Sequence, residues 1–227
     1  KAVNKIKKAS SPMIVAGGGS IYSGAENVIK EFSKKHGIPV TETFAGKGTL
    51  HYSNPFNLGG IGATGTKGAN EIAKNSDLVI GIGTRYGDFT TASKSVWQNK
   101  NVDFININVA EFDAFKNSAI PLQGDARETL KIISQKLESH STDDGYIEKI
   151  KILNKEWDDI VSKIYRIEDP KRPVQSELLG AVNEFMDEHD VVLCAAGSAP
   201  GDLHKLWRTQ NSKGFHLEYG NSCMGYE

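Results

Sequence analysis

Only two of the 227 residues are cysteine, Cys194 and Cys223. Two thiols make no disulfide framework, and they stand in no metal-binding spacing. Cys194 lies inside an apolar run and reads as a small buried hydrophobe. A reducing cytoplasm is the compartment this sparing usage implies. Long apolar runs are missing too. The longest, Leu78 to Ile82 and Val191 to Ala196, are strand-sized, far below the roughly 20 residues of a membrane span, so no membrane is expected. Charge of one sign is also missing: 27 Lys+Arg stand against 28 Asp+Glu, with no block to grip nucleic acid. The six histidines (His36, His51, His140, His189, His204 and His216) form no H-x-H, H-E-x-x-H or Cys/His pairing. No metal site made from this chain alone is therefore expected. No G-x-S-x-G elbow supports a serine hydrolase. The chain opens on Lys1 without a signal-like apolar segment and closes at Glu227 just after a Gly-rich turn, which points to a fragment of a longer polypeptide.

What is present fits a globular α/β protein: 38% of residues are hydrophobic and 24% charged. Pro12 to Ala16 is a short apolar run ending in Gly17-Gly18-Gly19. Ser23 with Glu26 reads as a capping box, and Val28, Ile29 and Phe32 supply the apolar stripe of a helix that Gly37 ends. Ile38 to Phe44 reads as a strand, followed by a long Gly-rich loop from Gly46 to Gly65. A helix near Lys67 to Lys74 leads into a buried strand, Asp77 to Gly83. Phe104 to Val109 and Ala119 to Leu122 are further strands, and Asp125 with Glu128 opens a helix to about Leu137. Strands alternating with helices of this size predict a parallel sheet covered on both faces.

The character changes after Leu137. Ser139 to Gly145 is polar, then Ile147, Ile150, Leu153, Trp157, Ile160 and Ile164 recur at helical spacing. The domain reading is residues 1–138, a helical connector over 139–172 lying on a domain surface, and a second α/β unit over 173–227. That unit opens with a helix carrying Leu178, Leu179, Val182 and Phe185, then the strand Val191 to Ala195. Gly197-Ser198 follows at the strand's carboxyl end, and a second Gly-rich turn, Gly220 to Gly225, follows the strand-like Phe215 to Tyr219. Two such loops on neighbouring parallel strands would frame the crevice where α/β folds bind ligands.

Gly60-Ile61-Gly62-Ala63-Thr64-Gly65 matches G-x-G-x-x-G, but the dinucleotide mechanism needs it directly after a strand. His51 to Leu58 reads as loop, so a structural turn is expected there. Gly17-Gly18-Gly19 does follow a strand, with Glu42 near where a ribose-binding acid would fall, but at the wrong spacing. A non-catalytic module holding FAD or NAD in the first unit is thus one alternative.

Asp77 to Arg85 (DLVIGIGTR), Ile105 to Val109 and Gly124-Asp125-Ala126 resemble the central domain of thiamine-diphosphate enzymes of the acetolactate synthase type. The segment from Pro173 resembles the opening of their diphosphate-binding domain. Asn106 to Asn117 (NINVAEFDAFKN), Gly201 to Trp207 (GDLHKLW) and His216 to Glu227 (HLEYGNSCMGYE) are similar to one branch, the trihydroxycyclohexane-1,2-dione hydrolases of myo-inositol breakdown. Acetolactate synthases usually carry Gln-His after the glycine matching Gly197; Ser198-Ala199 stands here instead. An acetolactate synthase-like carboligase acting on 2-oxo acids is the second alternative.

The resemblance implies a Rossmann-like central domain, of the DHS-like NAD/FAD-binding type, followed by a partial second α/β domain. It implies thiamine diphosphate and Mg²⁺ as cofactors, a small-molecule substrate, and a dimeric or tetrameric full-length protein. FAD in the central domain is possible in this superfamily but is not favoured. By position, Gly197 and Ser198 would lie along the diphosphate, the Ser222 carbonyl would accept from the aminopyrimidine, and Met224 would wedge beneath the cofactor. His204 and Glu218 are candidates for recognising substrate hydroxyls. The Mg²⁺ ligands would follow Glu227 and the activating Glu would precede Lys1. No catalytic residue is therefore expected within the chain, which alone should be inactive and bind the cofactor weakly or not at all.

Overall fold

The computed structural model describes residues 1–167, 171–217 and 224–226. Six parallel strands form one sheet: β1 (Pro12–Ala16), β2 (Val40–Glu42), β3 (Asn57–Gly60), β4 (Leu78–Ile82), β5 (Asp103–Asn108) and β6 (Ile120–Gln123), in the order β3-β2-β1-β4-β5-β6. This is the doubly wound order, in which the chain reverses direction across the sheet between β1 and β4. The two central strands, Pro-Met-Ile-Val-Ala and Leu-Val-Ile-Gly-Ile, are buried along their whole length. Near-continuous apolar runs of this kind are what a parallel sheet with two covered faces requires.

The period of two along each strand sorts the side chains between those faces. Ile14, Ala16, Ile80 and Ile82 meet α1 (Ala2–Lys8), α3 (Glu26–His36) and α7 (Ala126–Leu137) through Ile6, Ile29, Phe32, Leu130 and Ile133. Met13, Val15 and Val79 face the other way, against Ala69, Ile72 and Ala73 of α4 (Lys67–Asn75) and Ile150 and Leu153 of α8 (Asp144–Ile164). The expected surface connector is therefore half covering helix. Its first half completes the core of the large sheet, while Val161 near its end packs with Tyr165, which follows the helix, and with Leu206 of the second unit.

Two local expectations fail. Ser23 and Glu26 make no capping box: Ala25 precedes α3, and Ser23 instead ends the short α2 (Gly18–Tyr22), its hydroxyl donating to the Ser20 carbonyl. Gly24, at φ 61°, turns the chain between these helices and leaves Ser23 too far upstream to cap α3. The Gly46–Gly65 segment is not all loop either, because β3 lies within it, paired with β2. The Asp125 cap is present, with its carboxylate accepting from the Glu128 amide at 3.0 Å.

Two further short helices, α5 (Asp88–Thr91) and α6 (Glu111–Ala114), lie in the first unit. The second unit runs through α9 (Gln175–Phe185), β7 (Val192–Cys194), α10 (Ala199–Leu206) and β8 (Phe215–Leu217). β7 and β8 pair in parallel with Val192 opposite Phe215 and Cys194 opposite Leu217. Leu203, Trp207, Phe215 and Leu217 form its small core, against which the half-buried Cys194 packs.

Candidate functional site

The Gly197–Ser198 turn leaves the carboxyl end of β7 and opens directly into α10. Gly197 has φ +111°, a backbone state that L side chains rarely adopt, and a β-carbon there would meet nothing within 4 Å. Among the described residues no backbone acceptor is paired with the amides of Gly197 and Ser198, and both residues are exposed. Pro200 stands in the first turn, where its missing N–H costs nothing. Free amides at the positive end of an eight-residue helix suit an anion such as a diphosphate. The residues present thus fit the diphosphate of the cofactor that the resemblance implies.

The second Gly-rich segment follows β8 in sequence, and β8 is the parallel neighbour of β7. Glu218 and Ser222 lie outside the described residues. Met224 is 85% exposed, and Gly225 beyond it has φ +78°. The Tyr226 hydroxyl and His216 Nε2 share a 2.7 Å hydrogen bond, and their rings stack at 5.6 Å. β7, which the Gly197–Ser198 turn follows, and β8 are thus adjacent parallel strands.

His204 is placed differently. It is 1% exposed, on the face of α10 that meets the first unit. Its Nε2 lies 3.1 Å from the Glu42 carbonyl and its Nδ1 2.9 Å from Thr64 Oγ1. A carbonyl only accepts, so Nε2 carries the proton and Nδ1 accepts from the threonine hydroxyl. The ring stacks on Phe44 at 4.1 Å and lies over Gly60, where a β-carbon would fall 2.6 Å from Cε1. Burial, helped by the Lys47 charge, pushes its pKa down to about 3, so the imidazole is neutral.

Beside it lies a cavity of about 50 Å³ between the units, lined by Glu42, Lys47, Asn57, Trp157, Trp207 and Arg208 among others. The Glu42 carboxylate is turned inward, accepting from the Leu50 amide at 3.1 Å, and burial raises its pKa. The Lys47 ammonium, 5.7 Å from the centre of the Phe215 ring, has its pKa lowered to about 8 by burial, an effect that Glu42 opposes. Sequence reasoning missed Lys47, Phe44 and Thr64. No local pattern sets them apart from other loop residues; only their distance in sequence from α10 and their closeness in space do.

Both Gly-rich loops of the first unit are consumed by its own packing. Gly60–Gly65 does link a strand to a helix, β3 to α4, contrary to the loop expected before it. Yet its amides are engaged: Gly62 donates to Asn70 Oδ1, Ala63 to the Phe89 carbonyl, and Gly65 to the Gly62 carbonyl. The Gly17–Gly19 turn presses on the end of β4, with Gly17 donating to the Ile82 carbonyl and Gly19 to the Gly83 carbonyl. A β-carbon on Gly19 would meet Gly83 Cα at 2.7 Å.

A doubly wound parallel sheet fastened to a second α/β unit defines a Rossmann-like α/β protein. The chain belongs to the thiamine pyrophosphate enzyme family, whose central domain matches residues 1–133. It is 40% identical to a 3D-(3,5/4)-trihydroxycyclohexane-1,2-dione hydrolase of Clostridium tetani. It is 38% identical to proteins of the same name from Clostridium botulinum and Bacillus thuringiensis. Each alignment takes in 100% of this chain and 39% of the relative, so the chain spans about two fifths of the length of the curated relatives it matches. Among the described residues, no helix is long and apolar enough to cross a membrane.

Proposed function

We propose that this chain is the central domain, and the first part of the diphosphate-binding domain, of a thiamine-diphosphate- and Mg²⁺-dependent hydrolase. The substrate of the whole protein is trihydroxycyclohexane-1,2-dione, opened to 5-deoxyglucuronate in myo-inositol catabolism. The observation that carries this reading is the open Gly197–Ser198 turn on β7, beside a parallel β8 that leads towards Met224. Matches along the whole chain to relatives of that name support the branch.

Thiamine diphosphate, when bound, supplies a carbon nucleophile and an electron sink for breaking the bond next to a carbonyl. The amides of Gly197 and Ser198 would hold its diphosphate at the α10 N-terminus. The Ser222 carbonyl would accept from its aminopyrimidine, and the exposed Met224 side chain would lie beneath it. Glu218, which follows β8 in sequence, would recognise the substrate's hydroxyls. The Mg²⁺ ligands and the activating carboxylate belong to other parts of the longer protein, which works in the cytoplasm as a homo-oligomer.

The test uses the full-length parent with thiamine diphosphate and Mg²⁺, offered the cyclic dione and pyruvate in parallel. Selective loss of the dione is expected. Consumption of pyruvate with acetolactate formed would replace the hydrolase by a carboligase with the same cofactor. A folded, cofactor-loaded protein that consumed neither would overturn both.

A further inference from the structure

We propose that Thr64 and His204 are positioning residues for the cofactor turn: they fasten α10 to the central domain and so fix Gly197 and Ser198 ahead of it. This rests on the function proposed above. One side of the turn is the end of β7, a three-residue strand paired with β8. The other side of the turn is α10, and what α10 holds on to decides where the turn stands.

α10 meets the central domain through one face. Gly201 and His204, three residues apart, share that face. A β-carbon on Gly201 would lie 3.0 Å from Thr64 Cγ2, and the His204 ring bonds to Thr64 Oγ1 at 2.9 Å. Phe44 stacks on the ring and Gly60 leaves room for it. Thr64 itself is held by the internally bonded Gly60–Gly65 loop, in which Ala63 donates to the Phe89 carbonyl at 2.8 Å. The G-x-G-x-x-G pattern thus serves as a rigid seat for the next unit's helix. From Ser198 to His204 is about 9 Å along a helix axis, and a helix moves as a rod. A shift at His204 is therefore a shift at the turn. Misplacement of a binding group by about 1 Å is enough to weaken its function.

Thr64→Val keeps the shape and removes the hydroxyl; Thr64→Ser restores it; Gly60→Ala pushes a methyl into the ring. In the full-length protein, amide exchange over residues 203–206 should speed up about tenfold or more in T64V and G60A, with Met13–Ala16 and Leu78–Ile82 unchanged as the fold control. T64S should return to the parent rate. In the full-length protein with Mg²⁺, quenching of tryptophan fluorescence by thiamine diphosphate should give a Kd raised about three- to tenfold in T64V, the size of one lost hydrogen bond. The value of kcat at saturating cofactor should stay within about twofold.

Faster exchange in α10 with an unchanged Kd would show that the turn is not set from this contact and would overturn the proposal. Unchanged exchange in both T64V and G60A would overturn it at an earlier step, since the pin would hold nothing. Failure of the unmutated full-length protein to bind thiamine diphosphate would sink the proposed function and the cofactor role of the pin together. The exchange data would still tell whether α10 is fastened by it.

Discussion

Glu42 and Lys47 bring a carboxylate and an ammonium into one cavity between the two units, where they are 1% and 4% exposed. Burial raises the Glu42 pKa and lowers that of Lys47, and each charge opposes the shift of the other. Removing one partner alone, as in K47M, leaves the other buried without that opposing charge and should cost about 1–3 kcal/mol of stability. Removing both, as in E42Q/K47M, should recover most of that loss. The pH dependence follows from the lysine. Its folded pKa of about 8 lies below the ordinary 10.5, so between those values the unfolded chain binds more protons. Stability of the parent should then rise as pH climbs from 8, by up to about 2 kcal/mol at pH 9.5 relative to the double variant. Urea melts of the two proteins at pH 7.5 and 9.5 check this, and parallel curves would refute it.

His204 predicts the opposite end of the pH range. Its folded pKa of about 3 lies below the model-peptide 6.5. Its contribution to stability is therefore complete above pH 6.5 and lost as pH falls towards 3. Between pH 7 and pH 5 the parent should lose about 2 kcal/mol more than H204Q, which carries no titrating ring. Histidine NMR provides the direct reading. The His204 Cε1 resonance should stay level down to about pH 4, and a midpoint near 6.5 would mean that the ring is not buried as described.

The two central strands were legible because Pro12–Ala16 and Leu78–Ile82 are unbroken apolar runs, which a doubly covered parallel sheet selects. β3 was not. Asn57-Leu58-Gly59-Gly60 offers one large apolar side chain, and the strand exists because its backbone pairs with β2. The same limit applies to the site. Gly197 stood out as a glycine closing an apolar strand, which is a local signal. That His204 turns towards the first unit depends on Thr64, 140 positions earlier in the chain. No periodicity or spacing within either segment encodes that meeting.

Tyr86 tests the carboxyl edge of the central sheet, where the resemblance to the dione-hydrolase branch begins at Asn106. Its side chain passes over Gly81, and its hydroxyl donates to Asn106 Oδ1 at 2.8 Å. Asn106 in turn donates to the Lys116 carbonyl at 2.9 Å. Burial raises the tyrosine pKa, so this donor stays protonated through the range in which the protein is handled. Y86F keeps the ring but leaves a buried amide oxygen without its donor, and it should cost about 1–3 kcal/mol. Denaturant melts measure the loss; a cost below about 0.5 kcal/mol would mean that water replaces the hydroxyl.

The two capping signals, alike in sequence, should separate under mutation. Asp125 stands at the N-cap of α7 and its carboxylate accepts from the Glu128 amide. D125A removes the acceptor and should cost about 1 kcal/mol, the usual worth of such a cap. Ser23 has the same spacing to Glu26 but follows α2, and its hydroxyl only reaches back to the Ser20 carbonyl at 3.3 Å. S23A should therefore change stability by less than about 0.5 kcal/mol. Amide exchange at the first turns of α3 and α7 locates each effect: faster exchange in α7 for D125A, and none in α3 for S23A. Equal losses in the two variants would mean that Ser23 caps α3 after all, and that the Gly24 turn does not separate them.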